Sequence, residues 1–397
     1  MMKQWSSRFF VLFILVLITP SIQATIQVPY TPQQVTPTKA WTTLYYLDND
    51  YTGGFTDPLD DVFLDEIASS PSINVIVIQD NLDEPAFVYY IDENHTAIQL
   101  EDLGEVNMGD ALTLKNFIEF AKQQYPAERY LLWIVNHGGA WKGSCIDETD
   151  NDIGLTMDEC HSALAETGGV DIICFLACLM SNMEAVYELR DCVDVFIGSE
   201  DLAYLSWFNG VCGDTNQLLT STPELSSEDV GTQIVKFFPN HKNPYSSKLT
   251  MSALRTDKIT ALAMALDQLA VYQTSHWLRN YFSIYRAHTS TFLLADYQTW
   301  APVFEVYDLK GYLEQLKSSP QRTAALDALA DVVIAEVHGS NMEGTNGLSI
   351  FFPARKSPYG LVDLYQDESY GLDFVADTQW NEFLFYFIAT NTLLRRP

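Results

Sequence analysis

The sequence predicts an α/β fold, a mostly parallel sheet with helices on both faces. Three observations carry this expectation. Short β-branched and aromatic runs alternate with helical patterns along the first half of the chain. The runs are apolar throughout rather than alternating, as strands buried on both faces are. Polar and reactive residues collect directly after each run, and open α/β sheets bind ligands beyond the carboxyl ends of their strands.

The elements follow in order. Trp41–Leu47 is the first strand-like run and leads into Asp48-Asn49-Asp50. Asp57–Ser69 reads as a helix. Asn74–Ile78 is the second run and leads into Gln79-Asp80. Asp110–Gln124 places Leu112, Phe117, Ile118 and Ala121 at helical spacing. Tyr130–Val135 ends at Asn136-His137-Gly138-Gly139. Thr156 with Glu159 three residues on forms a capping box, opening a helix to Glu166. Val170–Phe175 leads to Ala177-Cys178, and Asp194–Gly198 to Ser199-Glu200-Asp201. From about residue 240 the pattern is less regular. Helical stretches cover Lys258–Tyr285, Val306–Leu316 and Ala324–Val337, and Leu348–Phe352 is strand-like. No Gly/Ser-rich break separates this half, so it reads as a largely helical extension integral to one domain, residues 40–397.

Residues 1–24 read as a secretory signal. Lys3 and Arg8 precede an apolar run, Phe9 to Ile18, which is too short to span a bilayer and ends at Pro20 and a small-residue cleavage site at Ala24. Residues 25–39, with Pro29, Pro32 and Pro37, read as an extended linker. The expected product is exported, secreted or periplasmic, with no membrane span after signal removal. Charge narrows its partners. The 397-residue chain carries 22 Lys and Arg against 52 Asp and Glu, a net charge of −30. Losing Lys3 and Arg8 with the signal makes it −32. Such a surface repels phosphate backbones, so nucleic acid is excluded as a partner. Hydrophobic residues make up 47 %, enough for a large core without a disulfide framework. The six cysteines include no C-x-x-C pair, which argues against a zinc ribbon or thioredoxin-type site. Cys192 and Cys212 are candidates for a disulfide. P-loop, zinc-peptidase and G-x-S-x-G patterns do not occur.

His137 and Cys178 end consecutive buried runs, 41 residues apart. Adjacent parallel strands lie about 4.8 Å apart, so their end residues can face each other. An imidazole beside a thiol can accept its proton and make a nucleophile. Gly138 leaves its N–H open, and with the N–H of Cys178 it can form an oxyanion hole. Each residue also fits a structural role, a turn histidine and a core cysteine, and spacing does not choose between these readings.

Longer stretches carry a resemblance. NHGGAW (136–141) and ACLMSNMEAVYEL (177–189) resemble the His and Cys motifs of the clostripain family of cysteine peptidases, relatives of caspases, legumain and gingipains. WTTLYYLDND at 41–50, EVNMGDALTLKNFIEFAKQQYPAERYLLWIVNHG at 105–138, FEVYDL at 304–309, GLSIFFP at 347–353 and DFVADTQWNEFL at 373–384 are similar to its other blocks, in the same order. The resemblance implies a caspase-like three-layer sandwich and an endopeptidase acting on protein or peptide substrates. It further implies His137 as general base, Cys178 as nucleophile and a thioester intermediate.

Two departures from the family pattern matter. The family usually has aspartate two residues before the cysteine, where it helps bind a basic side chain; here Leu176 stands there. Leucine cannot accept a guanidinium's hydrogen bonds, so basic preference is expected to weaken unless Glu200 or Asp201 substitutes. Leu176 also motivates a second reading, a non-catalytic homologue that binds peptides or proteins. Family members often self-cleave at a basic residue between His and Cys; here only Lys142 lies between them. No cofactor is required by this chemistry. The acidic loop Asp147-Glu148-Thr149-Asp150-Asn151-Asp152 could chelate calcium, as some relatives require, but it lacks the EF-hand glycine and terminal glutamate. No metal ligands are assigned. Trp133, Trp141 and Phe175 are expected to pack around the site, His161 to lie at the surface, and His338 to have no comparable strand before it.

Overall fold

A computed structural model describes residues 38–51, 57–149, 153–294, 305–356, 360–367 and 370–394. The signal and most of the linker lie outside these residues. All five apolar runs are strands: β1 (Lys39–Asn49), β2 (Ile73–Asn81), β5 (Ala127–Val135), β8 (Val170–Leu176) and β9 (Val193–Gly198). Between them come β3 (Ala86–Ile91), β4 (Ala97–Gly104), β6 (Ser144–Asp147) and β7 (Ile153–Leu155). Five more follow: β10 (Thr250–Arg255), β11 (Leu293–Leu294), β12 (Val306–Asp308), β13 (Val333–His338) and β14 (Ser349–Phe351).

The main sheet has nine strands in the order β13-β10-β9-β8-β5-β1-β2-β3-β4. The central five run parallel. The outer pairs, β10–β13 and β3–β4, run antiparallel to their neighbours. Successive residues alternate faces, so Tyr46, Ile134 and Phe175 enter one core while Tyr45, Trp133 and Cys174 enter the other. Helices cover both faces, completing three layers. On the Tyr46 side, α1 (Ala111–Gln124) buries Leu114, Phe117, Ile118 and Ala121, one face of a helix capped by Asp110. Each of its large apolar side chains contributes about 1.5–3 kcal/mol by burial. Next on that face come α2 (Met157–Glu166), whose expected Thr156/Glu159 capping box is formed, and the short α3 (Met183–Glu188). On the Tyr45 side lie α4 (Val211–Ser221) and α5 (Ser227–Phe237).

Several expected boundaries move. The Asp57–Ser69 helix reduces to one π-helical turn, Leu59–Phe63. The long helix at 258–285 is two, α6 (Ile259–Ser275) and α7 (Trp277–Ser290), broken at His276. The stretch from Val306 divides into β12 and α8 (Leu309–Gln315), where Asp308 caps the helix by accepting from Gly311 N–H. The stretch 324–337 divides into α9 (Pro320–Val332) and β13, because the chain from the β-branched Val333-Ile334 onward pairs with β10. Strands β11, β12 and β14 form a small antiparallel sheet, followed by α10 (Leu361–Leu364), α11 (Asp373–Asp377) and α12 (Trp380–Leu394).

Candidate active site

β5 and β8 are adjacent and parallel, with Val135 opposite Leu176. His137 and Cys178 each lie two residues past that pair. Gly138 brings the two strand ends into contact. A Cβ at 138 would lie 2.2 Å from the Cys178 carbonyl oxygen and 2.9 Å from its nitrogen. Only glycine permits this approach, which rests the chain after His137 on the backbone of Cys178.

Asn136 fixes the histidine turn. Its Nδ2 donates to the Asp48 carbonyl at 2.9 Å, and its Oδ1 accepts from Ile146 N–H at 2.9 Å and from His137 N–H. Gly139 N–H donates to Gly143 O at 2.9 Å. Ala140 and Cys145 adopt φ of 56° and 58°, a region costly for side-chain-bearing residues. Trp141 anchors the turn in the core, its ring edge-on to Phe351, Tyr365 and Tyr370. The ring of Tyr51 meets the His137 imidazole edge-on, with centroids 4.6 Å apart.

The chain turns sharply after Cys178. Leu179 has φ 66°, held by its N–H donating to Asp201 O at 2.8 Å, while Ser181 N–H donates to Ser199 O at 2.9 Å. The Cys178 thiol is half-buried. Its Sγ lies 3.4 Å from Ala203 N–H, which donates to it, and 3.7 Å from Ala203 O. Burial pushes its pKa up; the Ala203 N–H opposes this and the Asp201 carboxylate adds to it. His137 reaches solvent, yet burial of its ring lowers its pKa, with Glu148 opposing. At neutral pH the pair is therefore an uncharged thiol and an uncharged imidazole. Among the described residues, neither the N–H of Gly138 nor that of Cys178 has an acceptor within the chain.

The specificity candidates separate. Leu176 is 5 % exposed and belongs to the core on the Tyr45 side, whereas Cys178 packs against the opposite core. Strict alternation would put them on one face, but β8 ends at Leu176 and the turn breaks the period. Glu200 is not available to a substrate, which corrects its assignment as a binding residue. It is 1 % exposed, accepts Gly347 N–H at 2.6 Å and faces Asp308. Burial and the Asp308 charge push its pKa well up, so it holds the proton of the pair. Asp201 stays at the surface, near enough to influence the Cys178 thiol.

These features meet in a known pattern. The clostripain family model matches residues 58–387. The chain belongs to the clostripain family. It is 26 % identical over 311 residues to clostripain of Hathewaya histolytica, covering 64 % of this chain and 59 % of that protein. The chain thus spans about three fifths of the length of that curated relative. Two solved structures share the fold. A secreted C11 cysteine protease from Bacteroides thetaiotaomicron, bound to an irreversible peptide inhibitor, superposes with TM-score 0.65 at 16 % identity, covering 86 % of this chain and 99 % of that one. An inactive zymogen C11 protease from Parabacteroides distasonis gives 0.64 at 21 % identity, covering 87 % and 99 %.

As a clostripain-family chain it departs from sequence expectation in other places. All six cysteines are free, and Cys192 and Cys212 lie in cores on opposite faces of the sheet, so they cannot pair. Of the acidic loop, Asp150-Asn151-Asp152 lies outside the described residues. Asp147 points inward, fully buried, with Oδ2 accepting Met108 N–H at 2.9 Å. Among the described residues, two groupings bring possible ligand atoms together: Asp158, His161 and Glu188, and Asp50, Asp80 and Glu105. Trp133, Trp141 and Phe175 are fully buried, as expected, though in different cores. His338 ends the half-exposed edge strand β13 and contacts Glu336 at 2.5 Å. Sequence reading missed Asn136 as the residue that pins the turn; its signal was a polar side chain ending an apolar run. Tyr51 and the Ala203 backbone left no signal.

Proposed function

We propose that the protein is an exported cysteine endopeptidase acting through Cys178 and His137. The observation that carries the reading is the packing of Gly138 on the Cys178 backbone, which holds two open N–H groups beside a half-buried thiol and an exposed imidazole. Family membership supports the same chemistry. Cys178 Sγ attacks the substrate carbonyl as its proton passes to His137, forming the C–S bond. The developing oxyanion is met by the N–H groups of Gly138 and Cys178. Collapse breaks the C–N bond, and His137 returns the proton to the departing amine. A water deprotonated by His137 then hydrolyses the thioester and restores the thiol. Export rests on the Lys3/Arg8 and apolar pattern of the N-terminus. Among the described residues no helix is long and apolar enough to cross a membrane.

Leu176 and the buried Glu200 leave Asp201 as the candidate carboxylate whose charge reaches the thiol, so substrates with Arg or Lys before the cleaved bond gain little extra stabilisation. Alkylation by iodoacetamide tests the reactive pair. Cys178 should be labelled ahead of the other five thiols, and His137→Ala should slow that labelling. Uniform slow labelling of all six would favour a binding protein. The pH profile of kcat/KM adds a second test. With the imidazole's pKa lowered and the thiol's raised, the acid limb should fall below the ordinary 6.5 and the alkaline limb above 9. An acid limb above 6.5 would contradict this assignment.

A further inference from the structure

A base that activates a nucleophile is ordinarily oriented by a third group hydrogen-bonded to it. His137 has no such group. Asn136 and Gly138 fix the backbone on either side, and the His137 N–H is held by Asn136 Oδ1. Among the described residues, no hydrogen bond reaches either nitrogen of the imidazole. What meets the ring is Tyr51, edge-on, with centroids 4.6 Å apart and planes at 61°. Tyr51 directly follows β1, and the end of that strand is bound to the histidine loop at two points. The Asp48 carbonyl accepts from Asn136 Nδ2 at 2.9 Å, and the Asp50 carbonyl accepts from Glu148 N–H at 2.9 Å. The N–H of Tyr51 itself donates to Asn49 O at 2.9 Å. Its side chain is half-buried. Burial, and then the charges of Asp48 and Cys178, push its hydroxyl's pKa up, so the phenol lies within reach of the thiol as well as against the imidazole.

We propose that Tyr51 is a positioning residue for the peptidase reaction, its ring holding the His137 imidazole toward the Cys178 thiol where a hydrogen-bonded third group would otherwise stand. The inference rests on the catalytic reading of His137 and Cys178. Two physical effects follow from a ring in this place. It restricts rotation of the imidazole, and misplacing a reacting group by about 1 Å can cost about a hundredfold in rate. It also takes water off one side of the imidazole, which disfavours the charged form and keeps the base free to accept a proton. The titratable groups around the imidazole are Tyr51 itself, the Cys178 thiol and Glu148. Of these Glu148 opposes the effect, since its charge favours the imidazolium. Neither effect uses the phenol oxygen, so the ring alone is sufficient.

The test compares Tyr51→Phe and Tyr51→Ala in the full chain, by steady-state kinetics on a peptide and by NMR titration of 15N-labelled histidine. The His137 signal is the one missing from His137→Ala. Tyr51→Ala should lower kcat at least about tenfold with KM within about twofold of wild type. Its His137 titration should move up toward the ordinary value of about 6.5. Tyr51→Phe keeps the ring, so it should stay within about threefold of wild type in kcat and titrate with it. Should Tyr51→Ala fail to fold, Tyr51→Leu, which keeps apolar volume without a ring, should still lose kcat severalfold. Tyr51→Phe that loses as much as Tyr51→Ala would overturn the proposal, because the hydroxyl and not the ring would then matter. So would Tyr51→Ala with wild-type kcat or an unmoved His137 titration, or Tyr51→Leu with wild-type kcat. Wild type that hydrolyses no peptide would end the catalytic reading and the proposal with it, a failure recognisable because it appears in the unsubstituted chain.

Discussion

The ends of β8 and β9 lie side by side and are built in opposite ways. After β9, Ser199 and Glu200 are deeply buried and tied to distant parts of the chain. Ser199 Oγ meets Thr250 Oγ1 at 2.5 Å, Glu200 accepts from Gly347 N–H, and it shares a proton with Asp308. Nearby, Glu184 on α3 accepts from Phe351 N–H at 3.2 Å and from Tyr365 O–H at 2.8 Å. After β8, the chain turns through a strained Leu179, the thiol meets one backbone unit, and the N–H of Cys178 is open. Both ends are polar and both are desolvated. Hydrogen-bond accounting, not polarity, separates the scaffold from the candidate site.

Removing the thiol breaks this contrast most severely. Cys178→Ala should lower peptide hydrolysis by at least about 10⁴-fold while leaving the unfolding midpoint near wild type. A variant that keeps substantial activity would remove the cysteine-peptidase reading. The next largest effect should come from Gly138→Ala, because the added methyl meets the Cys178 carbonyl. Overpacking of this kind costs about 1–3 kcal/mol, and the displaced turn should lower kcat by more than tenfold. Gly168→Ala is not an equivalent control, since its φ is 80°; comparison with Ala177→Gly, a small change beside the same contact, is more informative. Equal kcat for Gly138→Ala and wild type would show that the contact does not organise the site.

On the scaffold side, burial pushes Glu184 up to about 7. Its folded value lies above its unfolded one, so its contribution favours the fold at low pH and is lost as pH rises through about 7. This group alone should make wild type weaker at pH 8 than at pH 5 by on the order of 3 kcal/mol. Glu184→Gln should flatten that dependence in urea unfolding at the two pH values; an unaltered slope would show the carboxyl is not desolvated. The smallest expected effect concerns specificity. Matched peptides with Arg or Leu before the cleaved bond should differ in kcat/KM by less than about tenfold, the equivalent of 1.4 kcal/mol. A thousandfold Arg preference would make Asp201 the next residue to substitute.

Much of this architecture is legible in the chain. The five parallel strands are the five apolar runs, because burial on both faces leaves an unbroken hydrophobic signature. The helix at 156–166 declares itself through its cap. The edge strands do not. Strand β4 reads I-Q-L-E-D-L with exposed positions, and β13 continues a helical pattern until pairing with β10 overrides it. At the site, positions at strand ends single out His137 and Cys178 as candidates, and only the resemblance of their motifs to the clostripain family, not their spacing, assigns them roles. Glu200 was misread, because nothing near it in sequence reveals that Gly347 and Asp308 seal it from solvent.

That sealing has a consequence for the order in which the protein is made. Ser181, three residues past Cys178, accepts at its carbonyl from both the N–H and the hydroxyl of Ser349, and its own hydroxyl donates to Gly347 O. The turn that presents the thiol is thus clamped by a segment almost 170 residues downstream. Contacts so distant in sequence form late. While the ribosome is still adding residues before about 350, the nascent chain already carries its histidine and cysteine but has no clamp to hold them in place. The reactive geometry arrives only once the segment Gly347–Ser349 has been made, and a chain that stops before it is left with the chemistry's residues and none of its geometry.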